Sequence, residues 1–236
     1  VADIASGLQI IAGRLCESTW DLTAVRQMVA EQRNAVCPPS ADLAPHRVVQ
    51  VVADRAAAIA RVTVDAGAHM FPATLLWPVV EPNGMLISNG LSTMGFALPA
   101  AIGAALLDRA TAERSGAARR PVVALTGDGG LLMCAGELVT AVREGAHVVI
   151  VVFNDASLSL IDVKQKQCPL PPGGVRIGAV DWCRLAAGVG MHAASAATDA
   201  ALADAVSDAL DRDGPSLIDA RIDPTSYPAT LKAVRG

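Results

Sequence analysis

Two stretches set the limits on this fold. PVVALTG (121–127) and HVVIVVF (147–153) are apolar at nearly every position. A strand with one face in water alternates apolar and polar residues, whereas a run without alternation must be covered on both faces. Between the two runs, CAGELVTAVREG (134–145) has the spacing of a helix that ends at Gly145. Strand, helix, strand is the unit of a parallel sheet, because parallel neighbours need a crossover.

The same alternation extends in both directions. APHRVVQVVADRAAAIA (44–60) reads as a helix, RVTVDAGAH as a short strand and turn, and GMLISNG as a second strand. MGFALPAAIGAALLDRA follows as a helix with Pro99 in its first turn, and TAERSGAARR (111–120) as a polar loop. Downstream lie a Pro- and Gly-rich loop (168–174), a helix near 180–188 and a strand near 191–196. TDAALADAVSDALDRDG is then a helix capped by Thr198 or Asp199, with its acids on a solvated face, and SLIDARID the last strand. The fold class is therefore α/β, a doubly wound, mostly parallel sheet with helices on both faces. Residues 1–40 read as a helical segment closed by Pro38-Pro39.

Ligands of such sheets bind beyond the carboxyl ends of the strands. Asp65-Ala66-Gly67, Asn89-Gly90, Gly127-Asp128-Gly129 and Asn154-Asp155 all fall just past strand ends, so they are expected along one edge.

Composition narrows the classes. With 236 residues there is room for one large α/β domain, or one domain and a fragment. The net charge of -4 leaves no basic stripe and excludes nucleic acid as a partner. Cys16, Cys37, Cys134, Cys168 and Cys183 are odd in number and scattered without CxxC. They fit a reducing, cytoplasmic setting, not a disulfide framework or a zinc site. The longest apolar runs are too short to span a membrane, so no membrane role is expected. The 52% of apolar residues exceeds what a lone soluble domain needs and predicts surface covered by a partner.

ALTGDGGLLMCAGEL (124–138) poses the chemical question. A glycine-rich turn between strand and helix usually cradles phosphate, yet this one carries an acid, Asp128. A dinucleotide turn would be GxGxxG, and Leu132 stands where its third glycine belongs. A bare carboxylate 4 Å from a phosphate charge is repelled by about 4 kcal/mol at an effective dielectric of ~20. The turn becomes favourable once a divalent cation lies between them. Magnesium takes oxygen ligands and commonly bridges carboxylates to phosphates, while the glycine backbone donates N–H groups. After 24 further residues, one helix and one strand, the chain offers Asn154-Asp155 at the same edge.

GDG, 24 residues and an Asn-Asp pair resemble the thiamine diphosphate (ThDP) motif. SNGLSTMGFALPAAIGAAL (88–106) is similar to the segment that holds the aminopyrimidine ring in acetolactate synthase-like enzymes. DAGAHMF (65–71) is similar to their loop that contacts the diphosphate. Order and spacing agree for all three. Residues 44–236 thus resemble the ThDP-binding (PP) domain of this superfamily, and 1–43 the tail of a preceding domain with its linker.

The resemblance implies roles. Asp128 would bind Mg2+. Asp155, rather than Asn154, would be the second ligand, where the family more often has Asn, and the backbone carbonyl of Ser157 the third. Gly127, Gly129 and Gly130 would line the diphosphate, helped by Ala68 and His69. Met94 would support the bent cofactor, and the carbonyl of Ser92, where many relatives have Gly, would accept from its exocyclic amine. Leu158 and Asn154 would flank the cofactor. Glu137 and Cys134 are read as structural, and no residue of this chain is assigned as the catalytic acid. That acid, a glutamate, would come from a pyrimidine-binding domain, in a longer chain or a separate subunit and N-terminal to these residues if in the same chain. The implied activity is that of a 2-oxoacid decarboxylase or carboligase working as a homo-oligomer. Pyruvate decarboxylases carry an acid at the position of Ile161. Apolar Leu160 and Ile161 lean toward condensation. The competing readings are a nicotinamide-dependent dehydrogenase domain and a non-catalytic relic with a scaffolding role.

Overall fold

The computed structural model describes residues 3–40, 42–116, 118–168, 170–171 and 173–235. The chain divides into two compact units, residues 1–32 and 33–236. The first holds α1 (Ile4–Ala12), capped by Asp3, and most of α2 (Leu22–Val36).

The second unit alternates as expected. It runs α3 (Pro45–Ala56), β1 (Arg61–Val64), α4 (Met70–Leu76), β2 (Met85–Ile87), α5 (Ala97–Ser115) and β3 (Val122–Gly127). Then come α6 (Asp128–Cys134), α7 (Glu137–Arg143), β4 (Val148–Asn154) and α8 (Ser159–Gln167). It closes with α9 (Trp182–Gly188), β5 (His192–Ala196), α10 (Asp199–Leu210), β6 (Ser216–Arg221) and α11 (Tyr227–Arg235). The strands form one sheet in the order β2-β1-β3-β4-β6-β5, and every pairing among the described residues is parallel.

Successive strand residues point to opposite faces, and each face has its own core. Val123, Leu125, Val149, Val151 and Phe153 pack with α3, α4, α10 and α11. Val122, Ala124, Val148, Ile150 and Val152 pack with α5, α7 and α9. This is why the two runs show no alternation: both of their faces are dry.

Several expectations need correction. The helix over 97 does not stop before 111 but continues to Ser115, burying Ala112. It ends where Gly116 adopts φ +71°, a conformation that glycine reaches without a Cβ penalty. Residue 117 of the expected loop, and residues 169 and 172 of the Pro- and Gly-rich stretch, lie outside the described residues. The segment after Gly127 is two helices broken at Ala135-Gly136, and the glycine-rich turn is itself the first turn of α6. Helices α4 and α11 carry no counterpart in the sequence reading. Thr198 caps α10 through the N–H of Ala201. Among the described residues, no helix is long and apolar enough to cross a membrane.

Candidate functional site: a cavity at the strand ends

The chain leaves β1 toward β2 on one side and leaves β3 toward β4 on the other. The crevice between β1 and β3 is therefore the topological switch point of the sheet. A cavity of about 390 Å³ opens there. Eleven of the twelve residues singled out by sequence line it: Ala68, His69, Ser92, Met94, Gly127, Asp128, Gly129, Gly130, Asp155, Ser157 and Leu158. Asn154 does not. Its amide donates to Asp219 Oδ1 at 2.7 Å, across the ladder between β4 and β6.

Asp128 opens α6 and is 3% exposed. Its Oδ1 accepts from the N–H of Gly129 at 2.7 Å and its Oδ2 from the N–H of Asp155 at 3.2 Å. The N–H groups of Ala156 and Ser157 also point toward it. Ala156 at φ +55° supplies the turn that lets successive amides converge on one carboxylate. Burial raises the pKa of Asp128, and these backbone donors act against that rise. Asp155 is pushed up to about 6, chiefly by burial. The Ser159 hydroxyl, which donates to it, opposes the rise, and the charge of Asp128 adds to it. A buried carboxylate that raises the cost of ionising a half-buried neighbour favours a cation between the two.

Ser157 faces Arg176 in an antiparallel bridge whose hydrogen bonds are Leu158 N to Val175 O (2.8 Å) and Ile177 N to Ala156 O (3.1 Å). In that pattern the N–H and C=O of Ser157 itself lie on the far side, and its N–H faces Asp128. Its carbonyl is thereby presented beside the acids. Among the described residues, no group of three His, Cys, Asp or Glu side chains could hold a metal ion. A cation here would draw on the two carboxylates, backbone oxygen and a bound phosphate.

The glycines are hemmed in by neighbouring atoms. A Cβ on Gly129 would lie 2.5 Å from Leu158 Cδ2 and 3.4 Å from Met94 Cε. One on Gly130 would lie 2.0 Å from Asp65 Oδ2, and one on Gly67 2.7 Å from the ring of His69. Their bare backbone forms the floor of the cavity. His69, only 4% exposed, stacks on Phe153 with ring centroids 5.0 Å apart. Burial lowers its pKa to about 4, so it is a neutral imidazole, and its Nε2 has no partner. A buried polar atom without a partner at a cavity wall is a waiting hydrogen-bond site.

The structure adds residues that the sequence reading did not assign. Asp65 accepts three hydrogen bonds beneath the cavity. Phe153 carries the His69 stack. Ser159 holds Asp155, and Lys164 stands on α8 with Leu160 and Ile161 at the mouth. Tyr227 reaches in from α11, 3% exposed, its hydroxyl raised well above the usual range by burial and then by Asp155 and Asp128. An acid at the end of an apolar strand was a usable signal for Asp65. Nothing local marks Tyr227, which arrives from the far end of the chain. A larger hollow of about 480 Å³ lies between residues 37–43 and the starts of α3 and α10. Its Arg47 is already engaged by Asp199 (2.9 Å) and Gln50 (2.7 Å), so it offers no free charge.

Comparison with known proteins agrees with this geometry. Residues 65–220 match the family model described as thiamine pyrophosphate enzyme, C-terminal TPP binding domain. Acetolactate synthase isozyme 1 large subunit of Escherichia coli (strain K12) is 34% identical over 205 residues, 84% of this chain and 34% of that protein. The catabolic acetolactate synthase of Raoultella terrigena is 32% identical over 241 residues, covering 98% of this chain and 41% of its own length. The chain thus spans well under half the length of these relatives. The benzoylformate decarboxylase of Polynucleobacter necessarius superposes with a TM-score of 0.69 at 24% identity, over 78% of this chain and 34% of that one. The thiamine diphosphate-dependent 4-hydroxybenzoylformate decarboxylase of Rhodococcus jostii RHA1 gives 0.70 at 24%, over 79% and 34%. Both share the fold. The chain belongs to the thiamine pyrophosphate enzyme family and carries its C-terminal TPP-binding domain.

Proposed function

We propose that this domain binds ThDP together with Mg2+ and serves as the cofactor-holding part of an acetolactate synthase-like 2-oxoacid carboligase or decarboxylase. The observation that carries the proposal is the convergence of two carboxylates, buried Asp128 and half-buried Asp155, on a cavity floored by Gly129 and Gly130. Such a pair is unfavourable against phosphate unless a cation joins them.

In this reading Asp128, Asp155 and the Ser157 carbonyl hold the metal. The backbone N–H groups of the first turn of α6 receive the diphosphate, and the Nε2 of His69 donates to it once the ring takes up a proton, because in the neutral ring Nδ1 serves the Leu125 carbonyl and Nε2 only accepts. Met94 and Leu158, which both lie over Gly129, flank the bound cofactor. ThDP supplies a nucleophilic carbon and an electron sink for 2-oxoacid chemistry. The chain's own part is to orient that group, neutralise its diphosphate and exclude water with Phe153, Leu158, Leu160 and Ile161. The apolar pair Leu160 and Ile161 at the mouth offers no proton donor for aldehyde release, which favours condensation, as the names of the acetolactate synthase relatives also do.

Among the described residues that line the cavity, none is a glutamate. The acid that activates the pyrimidine ring is therefore assigned to a pyrimidine-binding domain, in a longer chain or another subunit of a homo-oligomer in the cytoplasm. Calorimetry of ThDP binding, with Mg2+ and with EDTA, tests the reading. Binding only in the presence of the cation is the expected result. Equal affinity in EDTA, or tighter binding of NADH than of ThDP, would overturn it. Residues 1–236 alone are also expected not to catalyse proton–deuterium exchange at the cofactor's C2 carbon, whereas adding a pyrimidine-binding domain restores exchange.

A further inference from the structure

Asp65 follows β1 and is completely buried. Its carboxylate is satisfied by donors from two other segments. Oδ1 accepts from the N–H of Phe96 at 2.8 Å; Oδ2 accepts from the N–H of Gly95 at 3.0 Å and from the hydroxyl of Thr126 at 2.9 Å. Gly95 and Phe96 lead directly into α5, and Phe96 provides no side-chain cap. The first amides of a helix lack intrahelical partners. Asp65 therefore caps α5 from a neighbouring strand, and the positive end of that helix stabilises its charge.

The loop that Asp65 grips is tied at its other end as well. Ser92 N donates to the Ser88 carbonyl at 2.9 Å, Thr93 N to Ser88 Oγ at 3.2 Å, and the two hydroxyls lie 3.0 Å apart. Between these ties Ser92 sits at φ +49° and Gly95 at φ +75°. A left-handed residue other than glycine is strained and persists only where its surroundings over-determine it. Met94 lies between the two ties, its Cε 3.4 Å from where a Cβ on Gly129 would stand. Gly130 must be glycine because Asp65 Oδ2 occupies the position of its Cβ.

We propose that Asp65 is the positioning residue of this site: by holding Gly95 and Phe96 it sets Met94 against Gly129 and fixes the floor at Gly130. The use of Met94 as a cofactor support rests on the proposed function; its placement by Asp65 does not. The test is methyl NMR on the full 236-residue chain, which carries six methionines. Asp65→Asn puts an NH2 donor opposite one of the amides. The expected result is that the Met94 methyl signal moves to a solvent-averaged position while those of Met85 and Met191, in β2 and in the second core, stay in place. With Mg2+ present, ThDP affinity falls about tenfold, the size of one lost hydrogen bond to a charged group. An unmoved Met94 signal, or all methyl signals moving together, would overturn the proposal. Thr126→Val removes one of the three bonds and should move Met94 less, in the same direction. If Asp65→Asn fails to fold and Thr126→Val leaves Met94 unmoved, the proposal is also wrong. A parent chain that binds no ThDP, yet shows the selective shift, overturns the functional reading and leaves the positioning role standing.

Discussion

Two neighbouring strands, β1 and β3, each lead into a buried acid, and the two acids are treated in opposite ways. Asp65, beyond β1, is closed: its three bonds come from fixed donors, and nothing about it faces the cavity wall. Asp128, beyond β3, also receives backbone donors, but it shares the cavity with a second carboxylate, Asp155, and burial raises both pKa values. The first acid is complete without a ligand and serves the fold. The second is left in need of positive charge. The difference lies in which donors the fold brings to each acid, and it separates structure from function more sharply than residue type does.

The largest test exchanges the two outcomes. If the proposed function holds, Asp128→Ala should abolish Mg2+-dependent ThDP binding, a loss of at least about a hundredfold, because the proposed carboxylate ligand is gone. It should change stability by no more than about 1 kcal/mol, since removing an acid whose burial is unfavourable offsets the lost amide bonds. Asp155→Asn keeps an oxygen at the second proposed ligand position and should retain most of the binding. Asp65→Ala should do the reverse in stability, costing about 3–5 kcal/mol by stranding three buried donors. Thermal melts and calorimetry on the same four proteins would read both axes. If Asp128→Ala melts as low as Asp65→Ala, the comparison fails.

A second test asks whether the closed acid is rigid. An added methyl at Gly130 would stand 2.0 Å from Asp65 Oδ2, a group held from three sides. At Gly129 the clash is with Leu158 Cδ2 at 2.5 Å, the free end of a flexible side chain. Gly130→Ala should therefore cost about 2–3 kcal/mol. Gly129→Ala should cost less than about 1 kcal/mol, because alanine in a helical turn recovers some of the loss. Equal melting temperatures for the two variants would show that Asp65 yields as easily as a leucine tip.

Much of this was legible in the sequence, for a physical reason. Runs such as VVIVVF admit only a doubly covered strand, and a one-helix interval returns the chain to the same edge, so Asp128 and Asp155 had to meet near one another. Their spacing carried the site. What was not legible depended on side-chain direction and on long-range closure. Asn154 and Asp155 are adjacent in sequence, yet Asn154 is turned to Asp219 while Asp155 faces the cavity. His69 reads as a loop residue, but Phe153, from a strand two positions across the sheet, gives it a buried face. Tyr227 enters because α11 folds back over α4 and α8, which no local pattern announces. The break between α6 and α7 was invisible because CAGEL has ordinary helical spacing.

The smallest effect is a pH profile in which the open acid is partly hidden by its neighbour. Asp155 titrates near 6 in the folded chain against 3.8 ordinarily, chiefly because of burial. Between those values the folded chain holds a proton that the unfolded chain has released. Its contribution to stability is fully present below pH 3.8 and is lost as pH rises through 6. His69 runs the other way. Burial lowers it to about 4 from 6.5, so its contribution is present above pH 6.5 and is lost as pH falls toward 4. Each term amounts to about 3 kcal/mol, and they oppose each other across nearly the same window. Asp128 adds to the first, and His46 and His147, both lowered by burial, add to the second. The cofactor-free chain should therefore show a shallow profile between pH 4 and 6.5. Asp155→Asn removes one side of the balance, so this variant should lose stability on acidification more steeply than its parent. Denaturant midpoints measured at half-unit steps would show it, and parallel profiles for the two proteins would mean that Asp155 titrates at its ordinary value and is not held in the state described.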